Sequence, residues 1–314
     1  MIMTILQAGP LTTIQDAGRF GLMEYGIGQS GVMDYQSYIQ VNQLVGNDKN
    51  EAVLEMTLMG SEILFDEETL IAYTGADMQA KLDEVPIERG RAYLIQKGQR
   101  LKFGMAKNGV RAYLAIAGEM QVPVIINSKS TNLKCKMGGL DGRKLQNGDE
   151  LKVQVRKYSK KKIEKLLKKQ MEPTDYEEKK MIRVVLGPQD ECFSEEGIKT
   201  FLSEEYTVSI ESDRMGIRME GPKIEGKGKT DIVSDGIVFG SIQVTSAGLP
   251  IVMMADHQTT GGYAKIATVV KEDLPKLAQA RPGDHVVFQK VEIEEIQKKR
   301  FFFIDTKITT THGA

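Results

Sequence analysis

Cysteine, histidine and long apolar runs are all scarce in this chain of 314 residues, and each scarcity removes a class of function. Cys135 and Cys192 stand alone with no CxxC pair, which argues against a disulfide framework or a cysteine-based zinc site and fits a reducing cytoplasm. His257, His285 and His312 show neither HxxxH nor HExxH spacing, so no metal site is expected. No apolar run approaches the roughly twenty residues needed to cross a bilayer, and the N-terminal MIMTILQAGPLTT lacks a basic region or a signal-type apolar core. No membrane association is expected, and the cytoplasm is the expected location. Excess charge is missing too: 42 Lys and Arg against 43 Asp and Glu leave no basic surplus to attract nucleic acid. A small molecule or a protein is the expected partner.

What the chain does have is length for two domains and a dense punctuation of glycine. Gly9, Gly18, Gly21, Gly26, Gly28 and Gly31 cut the first segment into short pieces that read as turns and irregular backbone. Asp34 is placed to cap a helix carrying Tyr38, Ile39, Val41, Leu44 and Val45 and stopping at Gly46-Asn47. Short β-branched or aromatic runs follow at 52–58, 61–65, 70–73, 92–96, 100–103, 111–117 and 150–155, which predicts strands. The basic stretch RKYSKKKIEKLLKKQ from Arg156 has apolar residues too sparse for a core element and reads as a solvated helix or linker. Residues 1–170 are therefore taken as one β domain ending in a basic linker, and 171–314 as a second. The halves echo one another: Gly9-Pro10 and Gly187-Pro188, Tyr113–Gly118 and Ile251–Asp256, Asn147-Gly148-Asp149 and Pro282-Gly283-Asp284 are paired turns or strands, which points to a duplicated β-rich unit. Phe301-Phe302-Phe303 near the end is expected to pack on a neighbouring element.

Chemistry concentrates between Gly248 and Thr268. An apolar strand, Ile251–Met254, runs into Asp256-His257-Gln258-Thr259-Thr260-Gly261-Gly262-Tyr263 and then Lys265. Polar groups crowded around two glycines either satisfy a tight turn or face a ligand lying against main-chain N–H groups. Asp213-Arg214 offers a second such pair: Asp213 as turn cap, acceptor or base, Arg214 as a structural ion pair or as a fork for a carboxylate or ureido oxygen. Gly26-Ile27-Gly28-Gln29-Ser30-Gly31 fits GxGxxG but follows no buried strand and belongs to no alternating βα pattern. Gly221–Gly228 resembles a P-loop with Gly228 where Ser or Thr must hold magnesium. Neither is a nucleotide site, and no Gly-x-Ser-x-Gly elbow supports a serine hydrolase.

Six segments in order, GPLTTIQDAGR from Gly9, SGVMD from Ser30, YTGAD from Tyr73, SDRMG from Ser212, GSIQV from Gly240 and Asp256–Ala267, resemble the KipA family, the C subunits of 5-oxoprolinase. That family is related to allophanate hydrolase subunit 2 and to the carboxyltransferase region of urea carboxylase. The resemblance implies a mainly β chain of two cyclophilin-like β-barrel domains with a few short helices. It implies ATP-dependent opening of 5-oxoproline to glutamate with a KipI-type partner and a third subunit, or carboxyl transfer from carboxybiotin to urea or another small amide, or antagonism of a KipI-type kinase inhibitor. ATP would then be bound by the partner, and biotin would come only on another chain, because no Ala-Met-Lys-Met attachment segment is present. Departures from the family pattern fall at Thr245-Ser246 and Ala264, where prolines are usual. The expected site combines Asp256, Tyr263, Lys265, Asp213 and Arg214 as proton-handling and charge-stabilising groups with Gln258, Thr259, Thr260, Gly261, Gly262, Ser30 and Asp34 around a small amide, lactam or ureido substrate. The chain is expected to be inactive alone.

Overall fold

A computed structural model describes residues 1–48 and 50–297. Strands dominate, and they divide at the basic stretch. Before it, one antiparallel sheet runs Gly118–Met120, Glu150–Val155, Ile2–Gln7, Glu62–Phe65, Arg100–Lys102, Lys81–Leu82, Val85–Pro86. A second runs Leu11–Gln15, Val53–Thr57, Asn108–Ile116, Thr69–Asp77, Ala92–Ile95. Met3, Ile5, Leu54, Met56, Ile71, Leu114 and Leu151 fill the space between them.

The other face of the second sheet is also covered. Helix α1, Tyr35–Val45, lays Tyr38, Val41, Leu44 and Val45 against Val53, Ala72, Tyr113 and Ala115. Burial on both faces explains why these strands read as continuous apolar runs instead of alternating ones. The predicted cap is present: the Asp34 carboxylate accepts from the Ser37 N–H at 3.0 Å, and Gly46 closes the helix with φ 75°.

After the basic stretch the chain forms a closed barrel in the order Lys179–Leu186, Lys265–Val269, Ser241–Val244, Pro250–Met253, Gly216–Glu220, Glu205–Val208, His285–Lys290. A parallel pairing of the first and last of these strands completes the ring. Asp231–Gly236 and Thr260–Tyr263 form a separate two-stranded ribbon. Three further α-helices are present among the described residues: α2, Lys160–Leu167, between the halves, and α3, Glu195–Ser203, and α4, Leu274–Ala278, in the second half.

The repeat in sequence has a structural counterpart. Gly148 and Gly283 both take positive φ, 88° and 91°. In each turn the following Asp accepts the backbone N–H three residues earlier, Asp149 from Gln146 at 2.7 Å and Asp284 from Arg281 at 2.9 Å. Each Asp also holds a basic side chain, Arg143 or Lys180.

Two expectations change. The first 31 residues contain the strands Ile2–Gln7 and Leu11–Gln15, whose pairing outweighs their glycine-rich surroundings. The basic stretch, read as a solvated helix or linker, holds the helix α2, which is docked to the core: Leu166 is buried in the cluster beside α1, and Ile163 and Leu167 pack against it. Phe301-Phe302-Phe303 lies outside the described residues. No helix among the described residues is long and apolar enough to cross a membrane.

Candidate functional site

The two halves meet along a seam of buried charge. SGVMD supplies the strut. Val32 packs into the cluster around α1, whereas its neighbour Met33 packs into the core of the C-terminal barrel. Ser30 takes φ 53° and Gly31 φ 89°, and a side chain at Gly31 would strike the Ala17 carbonyl, so this kinked path needs glycine there.

Arg214 is the centre of the seam. Its Nε donates to Asp256 Oδ2 at 2.8 Å and its Nη2 to Asp256 Oδ1 at 3.1 Å, a two-point fork. Nη2 also donates to the Gly31 carbonyl at 2.6 Å, and Nη1 donates to Glu55 Oε1. Burial works against the guanidinium charge, yet Asp256 and Glu55 outweigh it and hold Arg214 above its ordinary value. The other Glu55 oxygen accepts from the Met33 N–H at 2.9 Å.

A second node sits on Gln279, just past α4. Its oxygen accepts from the N–H groups of Val110 and Arg111, both at 2.9 Å, and its amide donates to Asp34 Oδ2 at 2.9 Å and to the Arg111 carbonyl at 2.8 Å. Every polar position of that side chain is therefore used. Arg111 reaches back to the Ala278 carbonyl at 2.5 Å, and burial lowers its affinity for a proton. Burial likewise raises the Asp34 carboxyl, against hydrogen bonds from Gln279 and Ser37. A cavity of about 370 Å³ opens beside this node, bordered by Asp34, Ser37, Tyr176, Lys180 and Lys276. A carboxyl pushed toward its neutral form at a cavity edge can give or take a proton.

The structure thus brings Arg214, Asp256 and Asp34 to one seam, whereas the Ser30 hydroxyl, next to the Gly31 carbonyl that Arg214 holds, accepts from Asn132 at 2.8 Å. Lys265 goes elsewhere: its Nζ donates to Asp235 Oδ2 at 2.5 Å and to the Gly236 carbonyl at 2.9 Å, clasping the ribbon. Asp213 caps its own turn, accepting the N–H groups of Met215 and Gly216 at 2.8 and 3.1 Å. Thr260, Gly261, Gly262 and Tyr263 form the second ribbon strand, and the Thr259 carbonyl accepts from the Ile237 N–H. Gln258 accepts His257 Nδ1 on its carbonyl at 2.7 Å. Of the expected site residues, Asp34 alone borders the 370 Å³ cavity. Among the described residues no cluster of His, Cys, Asp and Glu could hold a metal ion.

Sequence reasoning missed Glu55, Arg111 and Gln279. Glu55 had left a signal, a lone acid inside an apolar strand, which demands a buried partner. Gln279 had left none, since its partners lie up to 245 positions away.

Comparison with known proteins agrees with this architecture. The family of the carboxyltransferase domain, subdomains A and B, matches residues 25–290. The chain is 36% identical over 296 residues to the C subunit of 5-oxoprolinase from Haemophilus influenzae, covering 94% of this chain and 93% of that one. The Escherichia coli protein of the same name is 35% identical, over 95% and 94%. Urea amidolyase of Saccharomyces cerevisiae is 33% identical over 91% of this chain but only 16% of its own length. The crystal structure of Kluyveromyces lactis urea carboxylase superposes with a TM-score of 0.84 at 29% identity, over 95% of this chain and 28% of that one. With matches of this extent in both sequence and fold, the chain belongs to the carboxyltransferase-domain family, subdomains A and B.

Proposed function

We propose that this chain is the C subunit of a multi-subunit, ATP-dependent 5-oxoprolinase, acting with a KipI-type partner and a third subunit to open the lactam of 5-oxoproline to glutamate. The observation that carries the reading is end-to-end correspondence: the relatives named as C subunits of 5-oxoprolinase match over more than nine-tenths of both chains, whereas the amidolyase match is a small part of a longer protein. ATP is bound by the partner, and the chain works in the cytoplasm and is inactive alone. A lactam resists attack because its nitrogen lone pair is delocalised, so the site must polarise a carbonyl and manage a proton. Asp34, Asp256 and Arg214 along the seam supply such groups; Tyr263 and the Gly261-Gly262 backbone lie in the ribbon that the Lys265 side chain clasps.

The test is reconstitution of the chain with its partner subunits, ATP and 5-oxoproline, measuring glutamate. Glutamate release that needs every subunit is the expected result; none with the complete set sinks the reading. Carboxyl transfer is the second reading, favoured by the fold shared with urea carboxylase. It requires biotin on another chain and predicts consumption of carboxybiotin in the presence of urea or another amide.

A further inference from the structure

A second opening lies where the YTGAD strand faces the start of the chain's passage to the barrel. It is a cleft of about 500 Å³, lined among others by Tyr73, Asp77, Arg89, Arg91, Met171 and Pro173. Its far wall is held in place by backbone pairing: Gly90 N–H donates to Tyr73 O, and Met171 N–H to Gly90 O, both at 2.9 Å. Gly90 must be glycine, since a side chain there would meet the Met171 carbonyl at 2.3 Å.

Arg89 is the unusual member. Half-buried, it donates from Nη1 to the Gly75 carbonyl at 2.8 Å, and among the described residues no carboxylate pairs with it. Burial holds the phenols of Tyr73 and Tyr176 well above the ordinary range, and the Arg89 charge offsets part of that shift. Arg89 also lines the small neighbouring hollow that includes Ser37 and Thr74. Arg91 differs, since Glu88 holds it at 3.0 Å. A guanidinium with spare donors in a partly desolvated cleft is a fork waiting for a planar anion. On the same wall Asp77 accepts the Gln79 N–H, and no cation among the described residues pairs with it. Glu88 and Glu172 also border the cleft, and this acidity opposes a dianion such as phosphate.

We infer that this cleft binds a small monocarboxylic acid bearing an adjacent N–H donor, with Arg89 receiving the carboxylate and Asp77 accepting from the N–H. A ring that carries a carboxylate on the carbon next to its amide nitrogen presents both groups, and 5-oxoproline is such a molecule. The choice of that ligand rests on the proposed function; the carboxylate fork rests on Arg89 alone.

The experiment is calorimetric titration of the full chain with 5-oxoproline, with pyrrolidin-2-one, which lacks the carboxylate, and with inorganic phosphate. Binding of 5-oxoproline but neither control is expected. Arg89→Gln should bind it roughly tenfold to a hundredfold more weakly, the range for losing a hydrogen bond to a charged group. Arg89→Lys, which keeps charge but not the fork, should fall between, and both variants should melt as the wild type does. Equal binding of pyrrolidin-2-one overturns the inference without any variant. Unchanged affinity in Arg89→Gln overturns it while leaving the reading as an oxoprolinase component intact. Failure of the wild-type chain to bind any carboxylate overturns it too, whereas that broader reading falls only with the reconstituted turnover.

Discussion

Arg214 and Asp256, 42 positions apart, meet in a fork of two hydrogen bonds at 2.8 and 3.1 Å inside the protein. Removing the guanidinium strands Asp256 and Glu55 as buried anions without their counter-ion. Arg214→Ala should therefore lower stability by about 3–5 kcal/mol, the usual cost of breaking a buried pair from one side. Urea denaturation measures it. A loss below about 1 kcal/mol, typical of exposed pairs, would show that the seam is solvated.

Gln279 makes a separate prediction. Gln279→Ala removes four hydrogen bonds and leaves the N–H groups of Val110 and Arg111 without their acceptor. Orphaned buried groups cost about 1–3 kcal/mol each, so this small truncation should rival Arg214→Ala in effect. Hydrogen exchange should accelerate at Val110 and Arg111 before it does at the centre of the barrel. Uniform acceleration across the chain would refute a local latch.

The helix at Tyr35–Val45 is legible in the sequence to within a residue, because its cap, its apolar spacing and its closing glycine are all local signals. The same holds for Glu150–Val155, introduced by a turn whose Asp side chain fixes its own backbone. The seam is not legible in that way. Its members are single polar residues scattered over the chain, and their meaning comes from partners that only folding supplies. Arg214 and Asp256 stand out as chemistry and do converge, but nearness in sequence groups Lys265 with them, and strand alternation sends it to the ribbon instead.

Lys265 and Asp235 test that difference. Lys265, with the Gly236 N–H and Gln189 behind it, draws the Asp235 carboxyl down to about 2. If the pair serves to clasp the ribbon, Lys265→Gln and Asp235→Asn should expose residues 231–236 to limited proteolysis equally and reduce turnover of the reconstituted enzyme in parallel. A Lys265 that touches substrate would instead make its variant alone inactive.

His257 sets a pH dependence. Burial lowers its affinity for a proton below the ordinary value of 6.5, despite the Gln258 carbonyl and Asp256 nearby, and its Nε2 is enclosed without a partner. The unfolded chain then binds a proton there more readily than the folded one. Stability is complete above the unfolded value and is lost as pH falls below it, reaching a floor at the folded value. The melting temperature should drop as pH falls below 6.5, and His257→Gln should flatten that slope. Asp149, which Arg143 holds below its usual range, acts in the same direction only in stronger acid, as pH falls below 3.8. An unaltered slope in the His257 variant would assign the effect to another group.

Met33 belongs to the core of a barrel whose first strand begins at Lys179, and Asp34 waits for an amide supplied by residue 279. A ribosome making this protein must therefore release nearly the whole chain before the N-terminal segment can find its permanent surroundings. Until then Glu55 lacks its guanidinium and an apolar thioether has nowhere to go, so the newly made first half is the stage most in need of a chaperone.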